Sequence, residues 1–228
     1  MSGDQRRPLG ELAEAVRDYR LFLERGYPES TLKKVVGDRH RLSGRERLIL
    51  YRGVSTEATD RRRSEKRVPS DAVADRVLLI DFYNIAFTLL SHRLGRPIFV
   101  ATDGYVRDAG ALHGRLGREE RLHWILPPIL ETIRLLEPRG VTFYLDAPIS
   151  HSGEHAQAVR DESLGHSIGA AVEVVASADY PLRRAEEGIV ATGDSAVIES
   201  SAVPLFDLSA AVLADRFDYT PPRLGDLL

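Results

Sequence analysis

Aspartates close most of the apolar runs in the later two thirds of this chain, and no other feature is better suited to chemistry. The runs VLLI (77–80), TFYL (142–145) and IVATG (189–193) end at Asp81, Asp146 and Asp194. Asp207 follows PLF, Asp179 lies just beyond VEVVA (172–176), and Asp103 and Asp108 frame the turn sequence DGYVRD after PIFVA (97–101). Carboxylates brought together raise one another's pKa and cost stability. A hard divalent cation, Mg2+ or Mn2+, removes that cost, because it favours carboxylate oxygen and water. Such an ion polarises a phosphoryl oxygen and turns water into hydroxide, which points to phosphodiester hydrolysis. The plainer reading stands beside it: an aspartate after a strand is often the N-cap of the next helix. Asp207, heading the last helical segment, fits that plainer reading best.

For these residues to meet, the runs that carry them must lie side by side. VLLI is apolar throughout, as strands buried on both faces are. Strand-like runs recur at 97–101, 141–146, 172–176, 188–194 and 203–207. Helical stretches are expected between them at 84–93, 119–137 (with Pro127-Pro128 as a kink), 152–163, 181–187 and 208–217. This alternation predicts an α/β fold, a doubly wound and mainly parallel sheet over residues 73–228, with ligands outside the carboxyl ends of the strands. Before it, residues 1–54 predict a small basic helical module. One helix ends at Gly26, a second at Gly37, and a third opens on the capping box Ser43-Gly44-Arg45-Glu46. Residues 55–72 read as a basic linker, its run from Arg61 to Arg67 either a solvated connector or a phosphate contact.

Charge divides along the same line. Residues 1–69 hold 17 Lys and Arg against 11 Asp and Glu, and the remainder holds 14 against 23. A basic part beside an acidic one suits a polyanion held by the first and a cation by the second; two unequal solvated surfaces would look the same. Arg39, Arg41, Arg45, Arg47 and Arg52 crowd one stretch and would neutralise phosphates, or pack as a basic face on the acidic domain. Cysteine is absent, which excludes disulfides, zinc–thiolate sites and thiol catalysis and favours a reducing, cytoplasmic setting. No signal peptide or membrane span is indicated. Glycine-rich phosphate loops, the Gly-x-Ser-x-Gly elbow and the H-E-x-x-H motif are also absent.

The segment LLIDFYNI (78–85) resembles the opening of PIN-like and NYN-type nuclease domains, with Asp81 and Asn84 in place. ADYPLRRAEEGIVATGDSAVI (178–198) is similar to their later signature, with Asp179, Thr192 and Asp194. The resemblance implies that Asp81, Asp179 and Asp194 ligate Mg2+ or Mn2+, and that Asn84 orients a ligand or the substrate. It also implies a further mid-fold acid, for which Asp146 is the candidate, with Glu154 behind it. Taken whole, the chain resembles the families of domains of unknown function 434 and 5616. That likeness rests on RGYPESTLKKVVGDRHRLSGRERLILYRG (25–53), DFYN (81–84), TDGYVRD (102–108) and LDAPISHSGEHA (145–156).

Around this core, Arg107 is expected to contact phosphate or to pair with a carboxylate, and Thr192 to touch substrate. Ser150 and Ser152 begin a helix that either binds phosphate or is simply capped by Ser152. His151 and His155 are candidate proton donors. The expected function is a metal-dependent ribonuclease. The alternatives are an RNA- or nucleotide-binding protein without turnover, and a partner within a larger assembly. A homo-oligomer is compatible with the sequence.

Overall fold

A computed structural model describes residues 8–110, 116 and 121–228. Four helices come first: α1 (Ala13–Glu24), α2 (Glu29–Arg39), α3 (Gly44–Gly53) and α4 (Glu57–Ser64). There follow β1 (Val77–Asp81), α5 (Phe82–Arg93), β2 (Ile98–Val100) and β3 (Val106–Asp108). After α6 (Leu122–Leu136) come β4 (Gly140–Asp146), α7 (Ser152–Gly165), β5 (Ala170–Val175) and α8 (Asp179–Arg183). The chain closes with β6 (Ile189–Ala191), α9 (Ser195–Ser200), β7 (Leu205–Phe206) and α10 (Leu208–Phe217). The helix expected from Glu119 is described from Leu122 and passes through Pro127 and Pro128; its expected start lies outside the described residues. No helix among the described residues is long and apolar enough to cross a membrane.

The chain forms two compact units. A helical unit comprises residues up to Ser64 with Ile98–Gly110 and Pro221–Leu228; a sheet unit comprises Glu65–Pro97 and Ala111–Thr220. The sheet unit is α/β. Its five strands run in the order β5-β4-β1-β6-β7, and every pairing is parallel. From β1 the chain builds outward to β4 and β5, then returns past β1 to build β6 and β7. The winding therefore reverses between β1 and β6, the place where open α/β sheets form a crevice. Leu78, Ile80, Phe143, Leu145, Val190 and Leu205 are fully buried, which accounts for the continuous apolar texture of these strands. Gly188, which leads into β6, has φ +92°, and a Cβ there would lie 2.8 Å from the Val77 carbonyl oxygen. Only glycine fits that approach.

Two sequence expectations change here. PIFVA does not join the main sheet: β2 pairs antiparallel with β3 in a separate two-stranded sheet of the helical unit. The stretch read as a linker is ordered, as α4 and then as residues 66–68 lying along β7. Val68 N–H donates to Leu205 O at 2.9 Å, and Leu205 N–H donates to Lys66 O at 2.8 Å. The Lys66 ammonium donates to the carbonyls of Ile198 (2.9 Å), Glu199 (2.7 Å) and Ser201 (3.0 Å), so it closes the carboxyl end of α9.

In the helical unit, Leu12, Val16, Tyr19, Leu32, Val36 and Leu50 share one apolar cluster with Phe99 and Leu224. The capping box is present: Glu46 N–H donates to Ser43 Oγ at 3.3 Å, and Ser43 N–H donates to Glu46 Oε2 at 2.6 Å. Gly37 does not stop its helix; it leaves room for the Arg47 guanidinium, which a Cβ would meet at 2.3 Å. That guanidinium donates to Leu42 O at 3.0 Å and to Asp38 Oδ1 at 2.8 Å, while Arg52 donates to Asp108 Oδ1 at 2.7 Å. Both are thus engaged within the unit's own structure.

Candidate functional site at the carboxyl edge of the sheet

β1, β4 and β6 are neighbours, so Asp81 and Asp146, which end β1 and β4, and Asp194, three residues past β6, come to the same edge. Asp81 is 5% exposed. Its Oδ2 accepts from the Thr192 hydroxyl at 2.9 Å and its Oδ1 from Asn84 N–H at 3.4 Å. Asn84 Oδ1 accepts from Gly193 N–H at 2.7 Å, and Thr192 Oγ1 accepts from Asp194 N–H at 3.0 Å. These bonds lace the end of β1 to the Thr-Gly-Asp turn after β6, across the point where the winding reverses. Asn84 therefore holds the turn itself. Asp194 Oδ1 accepts from Ala196 N–H (2.8 Å) and Val197 N–H (3.1 Å), and Asp146 Oδ1 accepts from Ala178 N–H (2.9 Å). Asp146 thus holds the chain immediately before Asp179.

Two of the edge aspartates are helix caps. Asp81 caps α5 and Asp194 caps α9, while both carboxylates also sit at the edge. Asp207 is a cap for α10, accepting from Ala210 N–H at 2.9 Å. Asp179 caps nothing; it is the first residue of α8 and lies 3.5 Å from Arg183.

The charges act on one another. Burial pushes the Asp81 carboxyl up to about 7; Asp146 and Asp194 add to the rise, and the hydrogen bonds from Thr192 and Asn84 oppose it. Asp179 is also raised, first by burial and then by Asp194 and Asp146, with Arg183 pulling it down. Four carboxylates therefore share one field. They do not share one ligand set: among the described residues, no three His, Cys, Asp or Glu side chains converge so as to hold a metal ion. The donor chemistry still suits a hard cation, since Asp146 and Asp194 each commit only Oδ1 to described backbone amides.

Arg107 is 4% exposed, and its guanidinium donates to both oxygens of buried Asp103, at 3.0 and 2.6 Å; Arg63 adds a third bond at 3.1 Å. It belongs to the helical unit, and the carboxylate-pairing alternative describes it rather than phosphate contact. Ser150 is exposed. Ser152 does not cap α7; its hydroxyl donates to Ala147 O at 3.2 Å, and the cap position is His151 at φ +67°. Glu154 lies 3.1 Å from the His151 ring. His155 is fully buried, with Nδ1 2.9 Å from the Tyr83 hydroxyl. Burial raises the Tyr83 pKa, and Asp146 raises it further. Tyr83 was not among the sequence candidates, although it stands between Asp81 and Asn84 in DFYN.

A family model described as Protein of unknown function (DUF434) matches residues 11–66. The uncharacterized protein MJ0935 of Methanocaldococcus jannaschii is 27% identical over 192 residues, covering 84% of this chain and 91% of that one. No solved structure matches. A second family model, described as Domain of unknown function (DUF5616), matches residues 70–211, more than half of the chain and every carboxylate of the edge, and the chain belongs to that family.

Proposed function

We propose that the protein is a Mg2+- or Mn2+-dependent phosphodiesterase acting on RNA, with a PIN-like sheet whose carboxyl edge is the active site. One observation carries the reading. Asp81 is buried where the winding reverses, and the carboxylates of Asp146 and Asp194 add to its burial in raising its pKa. An arrangement that costs stability in this way suits a cation. One or two of Asp81, Asp146, Asp179 and Asp194, completed by substrate phosphate and water, would hold it. When bound, the ion polarises a phosphoryl oxygen and lowers the pKa of water. Mg2+ sites commonly use one or two carboxylates together with substrate phosphate and waters, which fits carboxylates that share a field without converging. Thr192 and Asn84 fix Asp81 and the Thr-Gly-Asp turn, so the edge is rigid before any ligand arrives.

The test is cleavage of labelled single-stranded RNA with Mn2+, beside Asp81→Asn. The expected loss in the variant is at least about 100-fold. Equal cleavage by both proteins, or by neither, overturns the catalytic reading. A second reading, RNA or nucleotide binding without turnover, is favoured by the capping roles of Asp81 and Asp194, which give both residues a purpose without any cation. It expects RNA binding that survives a chelator and Asp194→Asn, with no cleavage.

A further inference from the structure

The carboxyl edge is negative, so a polyanion that approaches it must be drawn by something else. α8 and the residue that follows it supply the means in six consecutive residues. Asp179 belongs to the edge, where Asp194 and Asp146 act on it. Tyr180 follows, and it is 61% exposed. Arg183 lies 3.5 Å from Asp179, and the Arg184 guanidinium lies 4.2 Å from the centre of the Tyr180 ring and donates to the Tyr180 hydroxyl. Leu182 is fully buried, and Pro181 fixes its own φ, so the turn that presents the ring is anchored.

Other exposed aromatics lack this setting. Tyr27 packs edge-on against Phe22, and Tyr51 and Trp124 sit under Lys33 and Arg93; none of the three adjoins an edge aspartate in the chain. Tyr180 carries a planar cation over its ring and is 61% exposed. A ring so held loses little freedom when a second planar group stacks on it. Nucleobases stack on aromatic and guanidinium planes whatever their sequence, and guanidinium groups meet the phosphates.

We propose that Tyr180 and Arg184 form a stacking platform for an unpaired nucleobase, with Arg183 meeting the adjoining phosphate, so that the site takes single-stranded rather than duplex nucleic acid. This rests on reading the edge as a phosphodiester site, and it names the substrate form. A base inside a duplex is already stacked and cannot use the platform.

The test measures binding apart from cleavage. Fluorescence anisotropy in EDTA is run with labelled oligomers of about eight nucleotides, a single-stranded RNA, a single-stranded DNA and an RNA duplex. For Tyr180→Ala the expected result is weaker binding of at least one single strand by about 5- to 100-fold. Tyr180→Phe, which keeps the ring, and all duplex binding stay within about twofold. The stronger-bound single strand identifies the sugar. Single-strand binding by Tyr180→Ala within twofold of wild type, or equal losses on single strand and duplex, overturns the proposal. So does wild-type protein that binds no single strand. A Tyr180-dependent interaction without Mn2+-dependent cleavage leaves the platform standing and removes the nuclease reading. Cleavage whose KM ignores Tyr180→Ala does the reverse.

Discussion

At Asp81 two demands on one carboxyl oppose each other. As the cap of α5 it is best ionised, whereas burial beside Asp146 and Asp194 favours the proton. Because its folded pKa is raised from 3.8 to about 7, protonation favours the native state. That contribution is complete below the unfolded pKa, fades as pH rises between the two values, and is gone above about 7. Chemical denaturation at several pH values should show wild type losing stability relative to Asp81→Asn, by at most about 1.4 kcal/mol per pH unit, between about pH 5 and 7. A constant difference across that window would place Asp81 outside the shared field. The residue scale also shows how far types and spacing could be read. Each aspartate could be named from the sequence because it ends or follows an apolar run. The partners were less legible: Asn84 faces a backbone amide 109 positions away, which only the fold supplies, and for Arg107 the fold decides between the two readings by pairing it with Asp103.

Elements hold the site through their ends. α9 carries Asp194 at its start, and Lys66 closes its finish with three hydrogen bonds. Lys66→Met should destabilise the sheet unit by about 1.5–3 kcal/mol and should speed amide hydrogen exchange in α9 before that in α10. Uniform acceleration across both helices would assign Lys66 a general rather than a capping role. At the entry to β6, Gly188→Ala should cost more than about 1 kcal/mol, read from the thermal midpoint, because its φ and the Val77 carbonyl both exclude a side chain. Long elements were legible: α10 lies where its pattern placed it, and β1 and β4 fall within a residue or two. Short strands were legible as strands, at 98–100, 189–191 and 205–206, but not always in their pairing. PIFVA has the texture of a buried parallel strand, yet β2 pairs with Val106–Asp108, whose central Arg and final Asp conceal that both are buried. The basic run from Arg61 to Arg67 suggests solvent or phosphate, whereas Arg63 and Lys66 are drawn into ion pairs and caps by partners distant in the chain.

On the scale of the whole molecule, the helical unit is assembled from three separate stretches. Leu12, Tyr19 and Leu50 share their cluster with Phe99, Ala101 and Leu224, and a Cβ on Gly53 would lie 2.3 Å from Leu224 and 2.5 Å from Phe99. A fragment spanning residues 73–228, the boundary that composition suggests, leaves β2, β3 and the segment around Leu224 without their helices. Such a fragment should bind a hydrophobic dye and sediment as aggregates, while the full chain does neither. A monomeric fragment with a sharp thermal transition would show that the sheet unit needs nothing from residues before 73.

The same discontinuity sets a clock on synthesis. α1 to α3 emerge from the ribosome first, but the segment that completes their cluster lies some 170 residues later. At roughly 5–20 residues per second, translation leaves the apolar sides of Val16, Tyr19 and Leu50 waiting for on the order of ten to thirty seconds. The sheet unit, which runs to Thr220, is itself completed only at the end of that interval, so the nascent helices are the part that waits longest with its apolar sides open.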